Sequence, residues 1–479
     1  MRLIDAFAET ARRYPEKLAL ITEKSQLSFN DIIVLAAACE ANLRPNGLRP
    51  GMRLVLTTDR PEFVLGFTLL ASRLSLTLIL AQPRALAGVA FDLMVGVRPV
   101  PDIDQALQVQ IEPGWFGPVP VMPSADFATA SGAGAQIVFA TSGSTGTPKL
   151  VAYSEALVFR CFSEPNFQRA TQADAKMRLL MSATMATVWG MMGTFRALLA
   201  GGSTVALDDH RNRPLQYIDL FRVSHFETTP MVIRQMLDVP AAEQYLSSLR
   251  EIVVGGAFAS TDLMQRLSGL TDAPIDVAYG TSEFGALALA RFQPDSPHGE
   301  GYLGEVFRND IEIAFFDEAL RQMPGAGEGI VGFRNRDDSE APAAYLGSAA
   351  RAEKSGFIGG YFFPGDVMRR VGNQLYVIGR VKNVINVGGN KIALEAVQTA
   401  LESALAVQAV ACLAVPDALG LEELVVAYTA PESIPAGAVQ AVLDAAFPGL
   451  HLRQALRQAA LPFTPSGKID YEALRRDCL

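Results

Sequence analysis

Short apolar runs at residues 53–57, 76–80, 136–140, 178–181, 203–207 and 250–254 alternate with stretches of helical character from about residue 29 onward. This alternation is the signature of doubly wound α/β layers, and few other architectures accommodate it. Between residues 301 and 380 the pattern changes to short strands punctuated by turn residues, as at 311–316, 330–333 and 375–378, which predicts a small β-barrel-like subdomain. Beyond residue 380 a helix at 394–405, strands at 409–415 and 423–429 and a second helix at 436–446 predict a small α+β C-terminal domain. A chain of 479 residues exceeds one comfortable core, so two domains are expected, residues 1–379 and 380–479. Residues 98–134, rich in Pro, Gly and Ala, are expected to form irregular surface structure.

Hydrophobic residues make up 49% of the chain, as in a globular protein. Lys and Arg number 41 against 50 Asp and Glu, a net charge of −9, and the basic residues are scattered; nothing recommends a nucleic-acid partner. Cys39, Cys161, Cys412 and Cys478 lie far apart, which fits neither a disulfide framework nor a zinc site and points to a reducing cytoplasm. Charge near the N-terminus predicts an amphipathic helix there in place of a signal peptide. The apolar run 63–81 is interrupted by Ser72, Arg73, Ser75 and Thr77, so a buried helix followed by a strand is expected, with no membrane span.

The run 136–140 leads into Thr141, Ser142, Gly143, Ser144, Thr145, Gly146, Thr147, Pro148 and Lys149. Glycines let backbone N–H groups approach an anion, the hydroxyls add donors, and Lys149 supplies a compact charge for the outer phosphates of a triphosphate. The lysine follows a proline and no Ser or Thr comes after it, so this is not the GxxxxGK[ST] loop. A flexible linker has a similar composition. Three further segments decide between these readings: Tyr279, Gly280, Thr281, Ser282 and Glu283; Gly365-Asp366 with Gly379-Arg380; and Pro465, Ser466, Gly467 and Lys468. Gly255, Gly256 and Ala257, the run 327–330 and the run 386–392 fill the gaps between them. In this order, over nearly the whole chain, the set resembles the adenylate-forming, AMP-binding superfamily of acyl-CoA synthetases, nonribosomal-peptide adenylation domains and beetle luciferase.

The resemblance implies an ATP- and Mg²⁺-dependent enzyme that converts a carboxylic acid to an acyl-adenylate with release of pyrophosphate, then passes the acyl group to a thiol. CoA is the favoured thiol, and the pantetheine arm of a carrier protein is the alternative. Glu283 and Thr145 are expected to hold Mg²⁺, which takes only one or two carboxylates besides phosphate oxygens. Thr141, Ser142, Gly143, Ser144, Gly146 and Lys149 would surround the phosphates. Tyr279 and the segment Gly255, Gly256, Ala257 would wall the adenine, with Gly280, Thr281 and Ser282 beside it. Asp366 can accept hydrogen bonds from both ribose hydroxyls, and Arg380 can approach the same sugar or the phosphate. Lys468 would bridge the substrate carboxylate and the α-phosphate and stabilise the charge that develops there. Many members carry Arg-Thr or Tyr-Thr where this chain has Phe363-Pro364. Lys382 falls where relatives carry a hinge residue, which implies a mobile C-terminal domain that alternately presents Lys468 and residues 384–392.

The acid pocket implied by the resemblance draws on residues 182–192, small and apolar, with Met185, Thr187 and Trp189 as its candidate wall. That segment has no aspartate for a substrate ammonium, and an unpaired buried ammonium is costly, so an acid with an uncharged tail, aliphatic or aryl, is expected over an α-amino acid. A rival from another class is a nucleotide-binding regulator without turnover. Lys468 and Glu283 speak against it, since a sensor needs neither.

Overall fold

The computed structural model describes residues 2–101, 103–104, 107–116, 134–141, 149–163, 173–206, 214–336, 344–346, 356–381, 384–387, 390–416, 422–463 and 468–478. Two sheets dominate. In the larger, the strands Leu18–Ile21, Ser203–Val205, Arg178–Met181, His225–Thr228, Glu251–Gly255 and Ile275–Thr281 lie side by side in parallel. The smaller sheet orders Ala344–Tyr345, Lys149–Ser154, Gln136–Thr141, Thr77–Leu80, Arg53–Leu56, Leu93–Gly96 and Gln108–Gln110. The apolar runs read from the sequence are these strands, displaced by a residue or two at their ends.

Helices Leu3–Arg13, Phe29–Leu43, Pro61–Leu74 and Val188–Leu199 fill the space against the smaller sheet, burying Phe7, Phe29, Phe63, Phe67 and Phe195 in one apolar cluster. Local chemistry sets their ends. Ser28 Oγ accepts from Asp31 N at 3.1 Å while Asp31 accepts from Ser28 N at 2.8 Å, a reciprocal cap that starts the second helix. Pro61 opens the third, where a missing N–H costs nothing, and Ser75 in the left-handed region ends it. The run 63–81 is thus a buried helix and a strand. Among the described residues, no helix is long and apolar enough to cross a membrane.

The strands between residues 301 and 380 do not close into the expected barrel-like unit. Gly285–Arg291 pairs antiparallel with Ile275–Thr281 and with Tyr302–Val306, which pairs with Gln374–Arg380, so the parallel sheet continues outward as an antiparallel extension. The ladder runs on through Asp366–Val371 to Glu328–Asn335. Turn-punctuated short strands look alike in a barrel and in an extension; what separates them is the partner of the first strand, which lies outside the segment.

The C-terminal strands Ala409–Pro416, Glu422–Thr429 and Leu452–Arg457 form a sheet of their own. Period-two alternation divides it: Val410, Cys412 and Val426 face Val397, Leu401 and Leu443 of the helices Leu394–Ala404 and Ala436–Ala446. Ala411, Leu413 and Val425 face Leu461, Leu474 and Cys478, with Met231 packed against them from the N-terminal side.

Candidate active site

Gln136–Thr141 and Lys149–Ser154 form an antiparallel pair in which Thr141 lies opposite Lys149. The stretch expected to bind phosphate therefore joins two strands of a hairpin. Ser142, Gly143, Ser144, Thr145 and Gly146 lie outside the described residues, as does Lys382. On the same hairpin Tyr153, fully buried, donates a hydrogen bond of 2.6 Å to the carbonyl of Ser282 in the other sheet. One phenol thus ties this hairpin to the turn that carries Glu283.

That turn is shaped by close packing. The ladder shifts register between Tyr279 and Gly280, and a Cβ on Gly280 would stand 2.4 Å from the carbonyl oxygen of Gly285. Thr281 Oγ1 accepts from Phe284 N at 3.1 Å, and the buried Arg308 donates to the Phe284 carbonyl at 3.1 Å while Asp310 holds its other nitrogens. Glu283, between these anchors, is buried.

Asp366 and Arg380 are directly opposite each other on adjacent strands. Arg380 Nε donates to Asp366 Oδ1 at 2.8 Å, and the Tyr279 hydroxyl donates to Oδ2 at 2.6 Å. Burial and the neighbouring Asp366 carboxylate raise the tyrosine well above its ordinary pKa, so it remains a donor. A carboxylate gripped at both oxygens still has lone pairs for further donors. Lys468 joins this group from the C-terminal segment. Loss of solvent, reinforced by the Arg380 charge, lowers its ammonium to a pKa of about 8 against the opposing pull of Asp366 and Glu283. Residues far apart in sequence therefore share one electrostatic neighbourhood: Tyr279, Glu283, Asp366, Arg380 and Lys468.

Gly256 adopts φ +79°, and a Cβ there would stand 3.2 Å from Trp189 Cζ3. The indole therefore lies against the glycines expected to face adenine. Thr187 caps the helix that follows it, donating to the Thr184 carbonyl at 2.8 Å and accepting from Gly190 N at 3.1 Å. Met185 is packed in the large apolar cluster. Of the three candidate wall residues, Trp189 is the one placed against Gly255 and Gly256.

Sequence reading missed an acid at this wall. Glu227, from the His225–Thr228 strand, accepts from Trp189 Nε1 at 2.8 Å and is paired with Arg196; both charged side chains are 3% exposed. The signal was present in the sequence as a carboxylate inside a strand buried throughout. Its negative charge is already matched by Arg196.

The α/β fold thus brings a strand hairpin, the buried Asp366 with its partners Tyr279 and Arg380, and Lys468 into one arrangement. Residues 106–336 match the AMP-binding enzyme family. Phenyloxazoline synthase MbtB of Mycobacterium tuberculosis is 27% identical over 98% of this chain, which spans 34% of that protein's length. A 2-hydroxy-7-methoxy-5-methyl-1-naphthoate–CoA ligase of Streptomyces carzinostaticus is 25% identical over 98% of this chain and 91% of its own. The anthranilate CoA ligase AuaEII, solved with anthranoyl-AMP, superposes with a TM-score of 0.81 at 19% identity, covering 100% of this chain and 97% of its own. Residues 106–336 of this chain thus carry an AMP-binding enzyme domain, and the two curated relatives are similar to it over nearly its whole length.

Proposed function

We propose that this chain activates a carboxylic acid with ATP, forming an acyl-adenylate and pyrophosphate, and then transfers the acyl group to the thiol of CoA. The observation that carries the reading is the convergence of Lys468 on Asp366, Arg380 and Glu283. The reaction brings a carboxylate up to a phosphate, and a cation in a partly desolvated site stabilises the charge that builds between them. Asp366, oriented by Tyr279 and Arg380, would take the ribose hydroxyls. Trp189 and the glycines against it would wall the acyl-adenylate.

Buried Glu283 suits a Mg²⁺ that is otherwise held by phosphate oxygens and water, with Thr145 as its proposed companion. Bound there, the ion would neutralise phosphate charge. Lys149, at the foot of the hairpin, would steady the departing pyrophosphate together with Thr141, Ser142, Gly143, Ser144 and Gly146. The division into residues 1–379 and 380–479, with Lys382 as pivot, is part of the same proposal. The buried free thiols of Cys39, Cys412 and Cys478 fit a cytoplasmic setting.

Because Glu227 is matched by Arg196, the Trp189 wall offers no spare negative charge to an ammonium. This supports an acid with an uncharged tail. An aryl acid fits the flat indole, and the relatives named for naphthoate and anthranilate act on aryl acids with CoA. The test is pyrophosphate exchange with a panel of aryl, aliphatic and α-amino acids, followed by thioester formation with CoA. Lys468→Ala should lower exchange by about three orders of magnitude, the scale of lost transition-state electrostatics, while transfer from supplied acyl-adenylate survives. Exchange fastest with α-amino acids, or equal loss of both half-reactions, refutes the reading.

A further inference from the structure

Lys468 is held to the C-terminal body through its neighbour Ile469, which packs against the apolar cluster of Ala411, Leu413, Val425 and Leu474. Its place at the nucleotide site therefore depends on how that body is seated. Two contacts from the helix Pro230–Leu237 bear on the seat. Met231 packs into the apolar cluster of Ala411, Leu413, Val425 and Leu474. Arg234 on the same helix donates to both carboxylate oxygens of Glu402, at 2.6 Å from Nη1 to Oε1, and Nη1 also reaches the carbonyl of Gln408 at 3.2 Å.

Two parallel bonds between a planar guanidinium and a planar carboxylate fix direction as well as distance. The side chains of Arg234 and Glu402 are 15% and 20% exposed, so solvent screens the pair less than an open surface pair. Glu402 sits near the end of the helix Leu394–Ala404, and Gln408 immediately precedes the strand Ala409–Pro416. One arginine thus holds both the helical and the strand layer of the C-terminal body. That body keeps its own apolar cluster, of Val397, Leu401, Val426 and Leu443, whether or not the pair is made.

We propose that Arg234 and Glu402 are positioning residues, a clasp that orients the C-terminal body so that Lys468 faces Asp366, Arg380 and Glu283. The proposal rests on the adenylation reading above. Loss of the clasp leaves both cores folded and the ATP contacts in place; what it removes is the fixed bearing of Lys468. The pair acts on turnover through Lys468, without touching the reacting atoms.

The experiment uses the full chain, with Arg234→Gln, Glu402→Gln and the charge-reversed double variant Arg234→Glu/Glu402→Arg. Reactivity of Lys468 toward an acetylating succinimidyl ester, read at the peptide level by mass spectrometry, reports its seating without any substrate. Each single variant should label Lys468 several-fold faster, and its exchange kcat should fall about tenfold with KM for ATP within about twofold. The double variant should recover both readouts. Unchanged Lys468 labelling in the single variants, or a double variant no better than either, overturns the clasp. The labelling result decides the clasp on its own, whereas a parent chain that exchanges with no acid counts against the adenylation reading.

Discussion

Replacing Lys468 with arginine should change the pH dependence of adenylation in a way that no merely structural lysine would. Burial and the nearby Arg380 charge bring Lys468 to a pKa of about 8. If the protonated form works, activity is present below that value and is lost as pH rises through it. One pH unit above its pKa a group retains roughly a tenth of its protons, whereas an ordinary lysine near 10.4 would still be almost fully charged at pH 9. The kcat/KM for ATP in pyrophosphate exchange, which reports the free enzyme, should therefore fall about fifteenfold between pH 8 and pH 9.5. Arginine stays charged throughout this range, so Lys468→Arg should be slower near neutrality, with its longer fork misplaced, yet flat to alkaline pH. A parent profile flat to pH 10, or the same alkaline limb in the arginine variant, would refute the argument. Stability runs the opposite way. A lysine whose folded pKa lies below its unfolded one opposes folding while it is charged, fully below pH 8, and that cost is relieved as pH climbs from about 8 toward the unfolded value.

Tyr279→Phe keeps the ring and removes the hydroxyl that donates to Asp366, leaving a buried carboxylate oxygen short of a partner at a cost of about 1–3 kcal/mol. A raised KM for ATP together with a lower melting temperature is expected, and an unchanged KM would show that the hydroxyl does not orient Asp366. Glu227→Gln strips the buried Arg196 of its counter-charge, so denaturant titration should register a loss of roughly 3–5 kcal/mol. Trp189→Ala should raise KM for aryl acids while KM for ATP stays within about twofold; equal effects on both would move the indole out of the acyl wall.

The strands at 178–181 and 311–316 were legible to the residue because their apolar stretches are bounded by polar or turn residues at both ends. The proposed nucleotide residues stood out for a different reason: Tyr279, Asp366, Arg380 and Lys468 lie in short strings of unusual composition. What sequence could not supply was pairing across topology. Glu227 meets Trp189 through the strand order, and Arg234 meets Glu402 through the docking of one body on another. Neither pair has a fixed spacing. Thr187 shows the converse limit, since a small polar residue before a helix reads equally well as a pocket wall and as a cap, and its hydrogen bonds are those of a cap. The barrel expectation failed on the same ground, because Tyr302–Val306 finds its partner in a strand from an earlier segment.

The bond from Tyr153 to the carbonyl of Ser282 works as a rivet between two plates. One plate carries the strands that bracket residues 142–148, and the other carries Glu283, a single residue beyond the rivet. Apolar layers resist separation far better than they resist sliding, because the hydrophobic effect has no direction. A short polar bond across the seam supplies the missing resistance to shear. An offset of about 1 Å would be enough to misalign reacting groups. A chain without this hydroxyl would keep both plates folded but lose their registration, so turnover would suffer more than its melting temperature.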